Sequence, residues 1–321
     1  MILTTNQSIS KIKRRVTLLF SFLLLIFNAA CTSITVPQKD TLLAQTHIQD
    51  SFHVIDDVPV IAQKEKYCGP AAFATILSYE TDDAITQEKA AEMVYTPGRS
   101  GTFQHDMVSG IQRAGLLALP VDNIEDMLVE IKDNRPVIIF QNLALKWYPA
   151  WHYSVVTGYD LDKQKLLVHG GTQKAKWKDM RTILKTWKRA GYWGYIAAKP
   201  NDLPQTSSEK ELLQAAAGLE TAKHLSLAAA AYISILKKYP NSYEAHFGLG
   251  NIAMTKNEYV IAEKEYQAAL SINPDHIYSI NNKAYALSKQ GKTEQACIHL
   301  DQYKALQNPI LTDSQQELCA L

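Results

Sequence analysis

Pro240 and Pro274 stand 34 residues apart in the last third of the chain, and the residues between them recur at that spacing. A repeat of this length is one supersecondary unit that cannot bury its apolar face alone. Neighbouring units must stack, and about three are needed for a stable array. Leu249, Gly250, Ala262, Tyr266 and Ala269 lie between the two prolines. The same shift leads back to Ala216, Ala228, Tyr232 and Ile235, and forward to Ala284, Ala296, Leu300 and Tyr303, with Pro309 one place late. Small residues at the recurring positions let two helices approach closely, as Gly250 and Ala262 would within one unit. The spacing predicts three helical hairpins over 209–242, 243–276 and 277–310, closed by a capping helix. A generic helical bundle is the alternative.

The front end is equally specific. Lys11, Lys13, Arg14 and Arg15 precede an apolar run from Val16 to Phe27, interrupted only by Thr17 and Ser21, and then Asn28-Ala29-Ala30-Cys31. A basic start, a short apolar stretch and small residues at a cleavage point describe a secretory signal. A membrane-spanning helix would need about 20 apolar residues. Cys31 after two alanines resembles the bacterial lipobox, in which the cysteine is lipidated and becomes the mature N-terminus. Asn28 stands where that pattern usually has Leu, so a plain cleaved signal and a retained anchor stay open. Thr32 and Ser33 follow with no Asp, which in the resembled lipoproteins directs the protein to the outer membrane.

At 321 residues with 46% hydrophobic content, the chain accommodates two domains. Residues 32–50 are polar and mixed, and are expected to tether the lipid site to the first domain. That domain is expected over residues 51–200, with a linker of turn-forming composition over 201–208. Val58–Gln63 has strand-like content. Ala71–Leu77 reads as a buried helix with Pro70 in its first turn, where a missing N–H costs nothing. Residues 86–94, 105–114 and 122–133 read as helices. Val137–Phe140, Tyr153–Tyr159, Lys165–His169 and Trp193–Ala198 read as strands. Helices first and an antiparallel sheet after is an α+β layout. The net charge of +1 gives no reason to expect a nucleic-acid partner.

An exported chain favours disulfides. Of the four cysteines Cys31, Cys68, Cys297 and Cys319, lipidation of Cys31 leaves three. Cys297 and Cys319 share the helical region and can pair, which leaves Cys68 as the free thiol. Cys68 stands directly before Gly69-Pro70 and an apolar helix, where unpaired N–H groups and the helix dipole stabilise a thiolate. A nucleophilic thiol also needs a base, and His152 begins a strand. An oxyanion needs donors, and the Gln63 side chain lies five residues before Cys68. A buried structural cysteine is the bland alternative. The tryptophans are expected to pack the domain rather than line a substrate groove, with both roles open to Trp147 and Trp151, which flank His152. His53, His105, His224, His246, His276 and His299 show no metal-ligand spacing, and no cofactor is implied.

Gln63…Tyr67-Cys68-Gly69-Pro70-Ala71 followed by His152-Tyr153-Ser154-Val155-Val156-Thr157-Gly158-Tyr159 resembles the bacteriocin-processing peptidase-like family of the papain-like clan. The 34-residue unit resembles the tetratricopeptide repeat (TPR). The implied fold is an α+β papain-like domain followed by an all-α TPR solenoid. The resemblance implies Cys68 as nucleophile, His152 as general base and Gln63 as oxyanion donor. The family usually supplies an Asp on the neighbouring strand to orient the imidazole. A hairpin turning at Asp160–Lys163 would set position 152 opposite about 169, so His169, a backbone carbonyl or Thr172 is the expected orienter. The expected function is an exported cysteine peptidase of the cell envelope, lipid-anchored at the outer membrane and facing the periplasm, whose TPR groove binds a protein partner. An inert peptide-binding adaptor, and transferase or deamidase chemistry with the same Cys–His pair, are the alternatives. Cleavage after a double glycine, known for transporter-linked relatives, is not carried over.

Overall fold

The computed structural model describes residues 34–81, 83–96, 98, 101–171 and 174–319. Cys31 and Thr172 lie outside the described residues. The chain divides into two compact units after Pro37, and the second, Gln38–Leu321, holds every helix and strand named here.

A short helix α1 (Lys39–Thr46) and a strand β1 (Phe52–Val54) come first. Three helices succeed them: α2 (Cys68–Thr81), α3 (Gln87–Val94) and α4 (Gln104–Arg113). Then come β2 (Leu117–Pro120), α5 (Ile124–Lys132), β3 (Val137–Asn142), β4 (Trp151–Asp160), β5 (Lys165–His169) and β6 (Lys176–Asp179). Helix α6 (Met180–Arg189) and β7 (Gly194–Ala198) complete the α/β part. All the strands form one antiparallel sheet in the order β2-β7-β3-β4-β5-β6. β1 pairs with residues 158–160 of β4, beyond the stretch that β3 covers.

Helix α2 is buried continuously from Gly69 to Leu77. Its Phe73, Ile76 and Leu77 pack with Met107 and Ile111 of α4 and with Tyr153 and Val155 of β4. On the opposite face lies α6, whose Met180, Ile183, Leu184 and Trp187 turn inward while Arg181, Lys185 and Lys188 face solvent. Two helices thus sandwich the sheet, each held by burial of one apolar face.

The structure departs from expectation in four places. Part of the expected tether is α1, whose Leu42 is 1% exposed. Val58–Gln63 forms no strand and runs as irregular backbone into the turn before α2. Strands β1, β2 and β6 and helix α6 were not anticipated, because three short strands and a lysine-rich helix carry little apolar periodicity. The β4–β5 hairpin turns at residues 161–164, one residue later than expected. Asp160 pairs with Lys165, a bulge lies between Val156 and Gly158, and Val155 faces His169. His169 therefore pairs three residues further along β4 than expected.

The rest of the chain is helical: α7 (Glu209–Thr221), α8 (Leu225–Lys238), α9 (Tyr243–Thr255), α10 (Tyr259–Ile272), α11 (Ile277–Lys289), α12 (Thr293–Gln302) and α13 (Pro309–Cys319). The helices pair in units matching the 34-residue period. Ala228, Ala262 and Ala296 are all fully buried. A Cβ at Gly250 would stand 2.5 Å from the Tyr266 ring, and one at Gly248 would stand 2.4 Å from that of Tyr232. Helices α9 and α10 pack at a distance only glycine allows. A Cys297–Cys319 disulfide ties α12 to α13.

The helical array is fastened to the α/β domain. Arg135 bonds Asp202 of the linker at 2.9 Å and the buried Glu130 at 3.3 Å, while Thr206 donates to Glu130. Lys238 donates to the Pro204 carbonyl at 3.1 Å. His224 Nε2 meets the Arg113 carbonyl at 2.8 Å, and Gln112 packs against Gly218. The linker is pinned at both ends.

Candidate active site

Cys68 is the first residue of α2 and is partly exposed. The chain reaches it through a tight turn in which Lys66 takes a left-handed φ of 63°, a conformation that costs a non-glycine residue of order 1 kcal/mol. Gln87 clamps the backbone before the turn. Its Nε2 donates to the Ala62 carbonyl at 3.0 Å and its Oε1 accepts from the Lys64 N–H at 2.9 Å. A Cβ at Gly69 would stand 2.3 Å from Thr102 Oγ1, so glycine at 69 lets the residue 102 loop close over the helix start. Cys68 is the one free cysteine among the described residues.

On its outer side Cys68 opens into a cavity of about 440 Å³ walled by Thr102, Phe103, Phe140, Trp151 and Tyr153. Phe140 stacks on Trp151 at 5.1 Å and tilts against Tyr153 at 4.6 Å. The Tyr153 hydroxyl donates to the Thr102 carbonyl at 3.3 Å. Burial, and then the negative charge of a Cys68 thiolate, push its pKa far above the usual tyrosine range. It stays an O–H beside the sulfur. Trp147 and Trp151, expected to pack the domain, are 80% and 51% exposed; Trp187 is the tryptophan that fills the core.

On its inner side Cys68 shares a narrow crevice with Gln63, His169, Gly170 and Gly171. The Gln63 N–H donates to the Gly171 carbonyl at 3.2 Å, which fixes Gln63 beside the end of β5. Alternation along β4 sets His152 differently. Tyr153 and Val155 face the α2 core, whereas His152 and Ser154 line a second cavity of about 390 Å³ on the α6 side. There Ser154 donates to Gln141 at 2.9 Å, and Gln141 donates to Thr186 at 2.6 Å. Gly170 and Gly171 line both spaces.

The expected residues are therefore only partly brought together. Cys68, Gln63 and His169 share one crevice, and His152 stands in the adjoining cavity. Among the described residues no hydrogen bond joins Cys68 to either histidine. Burial pushes both imidazoles below the usual histidine range, so both are neutral and able to accept a proton at neutral pH. His169 is not placed to orient His152. It pairs with Val155 and therefore faces α2, and its Nδ1 is buried without a partner. The residue beside His152 is Gly170, just past the end of β5, where a Cβ would lie 3.1 Å from Nε2. Thr102, Tyr153 and Lys174, Lys176 and Lys178, which also line these cavities, were not singled out from the sequence. The Lys-x-Lys-x-Lys alternation was the available signal, since residues two apart on a strand share a face. Among the described residues no group of three His, Cys, Asp or Glu side chains is placed to hold a metal ion.

Residues 55–195 match the Peptidase_C39 like family. Residues 243–276 and 265–298 match tetratricopeptide repeat families. Similar solved structures include a Bacillus anthracis protein described as a C39-like peptidase. It is 16% identical with a TM-score of 0.41, over 47% of this chain and 98% of that one. Another is the peptidase domain of Streptococcus ComA, a bi-functional ABC transporter involved in a quorum sensing pathway. It is 20% identical with a TM-score of 0.35, over 44% of this chain and 98% of that one. No curated protein matches the chain. The chain carries a C39-like peptidase domain followed by tetratricopeptide repeats.

Proposed function

We propose that the chain is a thiol peptidase of the cell envelope, with Cys68 as nucleophile and the helical array as a seat for a protein partner. The observation that carries this reading is the position of Cys68. A free thiol begins a buried helix and opens onto a substrate-sized aromatic cavity, where the helix N-terminus favours the thiolate. In this reading His152 takes the thiol proton, and the sulfur attacks a peptide carbonyl. The Cys68 N–H and the Gln63 amide receive the oxyanion. The imidazolium then returns its proton to the leaving amine, and water cleaves the thioester.

The basic and apolar opening of the chain, and Cys31 behind two alanines, support export and lipid anchoring at the outer membrane. The Cys297–Cys319 disulfide fits an oxidising compartment. Helices α7, α8 and α9 form a groove of about 520 Å³ lined by Leu213, Tyr232, Phe247 and Asn251, which supports recruitment of a protein or peptide.

The test is the pH dependence of Cys68 alkylation by iodoacetamide in the chain lacking its first 31 residues, beside His152→Ala and His169→Ala. An activated thiol alkylates well below the ~8.5 of an ordinary cysteine, and the variant that restores the ordinary profile identifies the base. A second reading, a peptide-binding adaptor, is favoured by the missing thiol–imidazole hydrogen bond and by Gly170 beside His152. An ordinary profile in all three proteins selects it.

A further inference from the structure

The cavity on the α6 side of the sheet has a composition that thiol chemistry does not use. Lys174, Lys176 and Lys178 all line it. Two of them lie on β6, where alternation turns even-numbered residues to one face. Trp177, between them, points the other way and packs against Phe52 at 5.8 Å. Among the described residues no Asp or Glu lines the cavity. The nearby Asp179 is engaged as the cap of α6, accepting from the Thr182 N–H at 3.0 Å. None of the three lysines forms an ion pair among the described residues.

Three unpaired ammonium groups along one wall repel one another and raise the local concentration of anions. The rest of the wall is equally unspent. The His152 ring has no hydrogen-bond partner among the described residues, and Gly170 leaves its Nε2 open to the space. The side-chain amide and hydroxyls of Gln141, Ser154 and Thr186 are tied to one another and hold the floor rigid. Elsewhere in the chain the carboxylates roughly balance the cations, since the formal net charge is +1; here they are absent.

We propose that this cavity is a subsite for a carboxylate of the peptide substrate, held by Lys174, Lys176 and Lys178. The inference rests on the peptidase reading for the word substrate, although the binding itself does not need catalysis. Gly170 and Gly171 line both this cavity and the crevice of Cys68, so the carboxylate sits next to the thiol's own cleft. Such a substrate brings negative charge to a histidine whose neighbour Gly170 brings none. The carboxylate comes either from an acidic side chain or from a free C-terminus.

The test uses the full chain with Cys68→Ala, so that nothing is cleaved, and three synthetic peptides of equal length titrated by calorimetry. The first is oligoglutamate, acetylated and amidated at its ends. The second is oligoglutamine blocked in the same way, and the third is acetylated oligoglutamine with a free C-terminus. An acidic-side-chain subsite binds the glutamate peptide at least tenfold tighter than its blocked glutamine counterpart, with affinity falling as salt rises. A C-terminal subsite instead favours the glutamine peptide with the free terminus over its amide. In either case Lys176→Gln/Lys178→Gln removes the preference, and Arg181→Gln/Lys185→Gln, on the outer face of α6, leaves it. Equal binding of all three peptides overturns the proposal, and so does an equal loss in both double variants, which would mark a diffuse basic surface. Cys68 reactivity, measured separately in the unsubstituted chain, tells the two readings apart. An inert thiol with the preference intact sinks the peptidase and keeps the subsite; a reactive thiol without the preference does the reverse.

Discussion

Lowering the pH from about 7 to about 5 protonates the histidines of an unfolded chain, which titrate near 6.5, but His299 of the folded chain resists. Its ring is 6% exposed between α11 and α12, with Nε2 3.1 Å from the Ile280 carbonyl and Tyr303 edge-on at 5.3 Å. Burial first, and then the Lys283 ammonium, lower its pKa to about 4. A depressed folded pKa means that the stabilisation is complete above 6.5 and disappears as the pH falls through 4. At 1.36 kcal/mol per pH unit the full loss is roughly 3 kcal/mol, and about 2 kcal/mol of it has gone by about pH 5. For a helical array of this size that is about 8 °C in Tm, taking ~4 °C per kcal/mol. The assay is thermal unfolding followed by circular dichroism, comparing the unsubstituted chain with His299→Gln, whose amide can still donate to Ile280 and does not titrate. Hydrogen exchange places the loss in α11–α13. The unsubstituted chain should lose about 2 kcal/mol more than the variant between the two pH values. Parallel losses would refute the account, because the group that binds the extra proton would then lie elsewhere.

Arg135→Ala leaves the buried Glu130 carboxylate without its cation and should destabilise the chain by about 3–5 kcal/mol; Arg135→Ala/Glu130→Gln should recover part of that in urea unfolding. Replacing both Cys297 and Cys319 with Ser opens a loop of sequence separation 22 and should lower stability by about 3 kcal/mol, with exchange quickening in α13 before α7. Gly170→Asp, combined with Ser154→Ala to clear the hydroxyl that a Cβ would meet at 2.6 Å, sets a carboxylate beside His152. It should raise the His152 pKa by about 1–3, read by proton NMR titration, and an unmoved imidazole resonance would show that residue 170 does not face the ring.

The parts legible in the sequence are those governed by local periodicity. The repeat boundaries at 209, 243 and 277 each fall at or next to the start of a helix, because small residues such as Ala228, Ala262 and Ala296 recur wherever two helices must touch. Cys68 at a helix start was legible for a similar reason, since Pro70 can occupy a first helical turn. What escaped depends on contacts between distant segments. The register of β4 on β5 is set by a four-residue turn and a bulge, neither of which has a fixed residue code, and three residues of error moved His169 to the wrong partner. The sequence places His152 at the head of a strand but does not say which face it takes. That is decided by Tyr153 and Val155, which claim the side under α2. Helix α6 was missed because its exposed cations outnumber the few residues, such as Ile183 and Trp187, that hold it down.

If the chain is the peptidase proposed above, the pinned linker sets how a client would be processed. Arg135, Thr206, Lys238 and His224 brace the junction between the helical array, with its groove at α7 and α9, and the domain that holds the cleft at Cys68. A captured protein would not sweep a sphere of tether length around the thiol, so its local concentration there would not be averaged over a large volume. It reaches the cleft only if the stretch of its chain between the two points has the right span. Selection would then work like a gauge, by counting residues from the point of capture as well as by reading side chains at the cut. Lengthening a client by a few residues between those points would shift the cut rather than abolish capture.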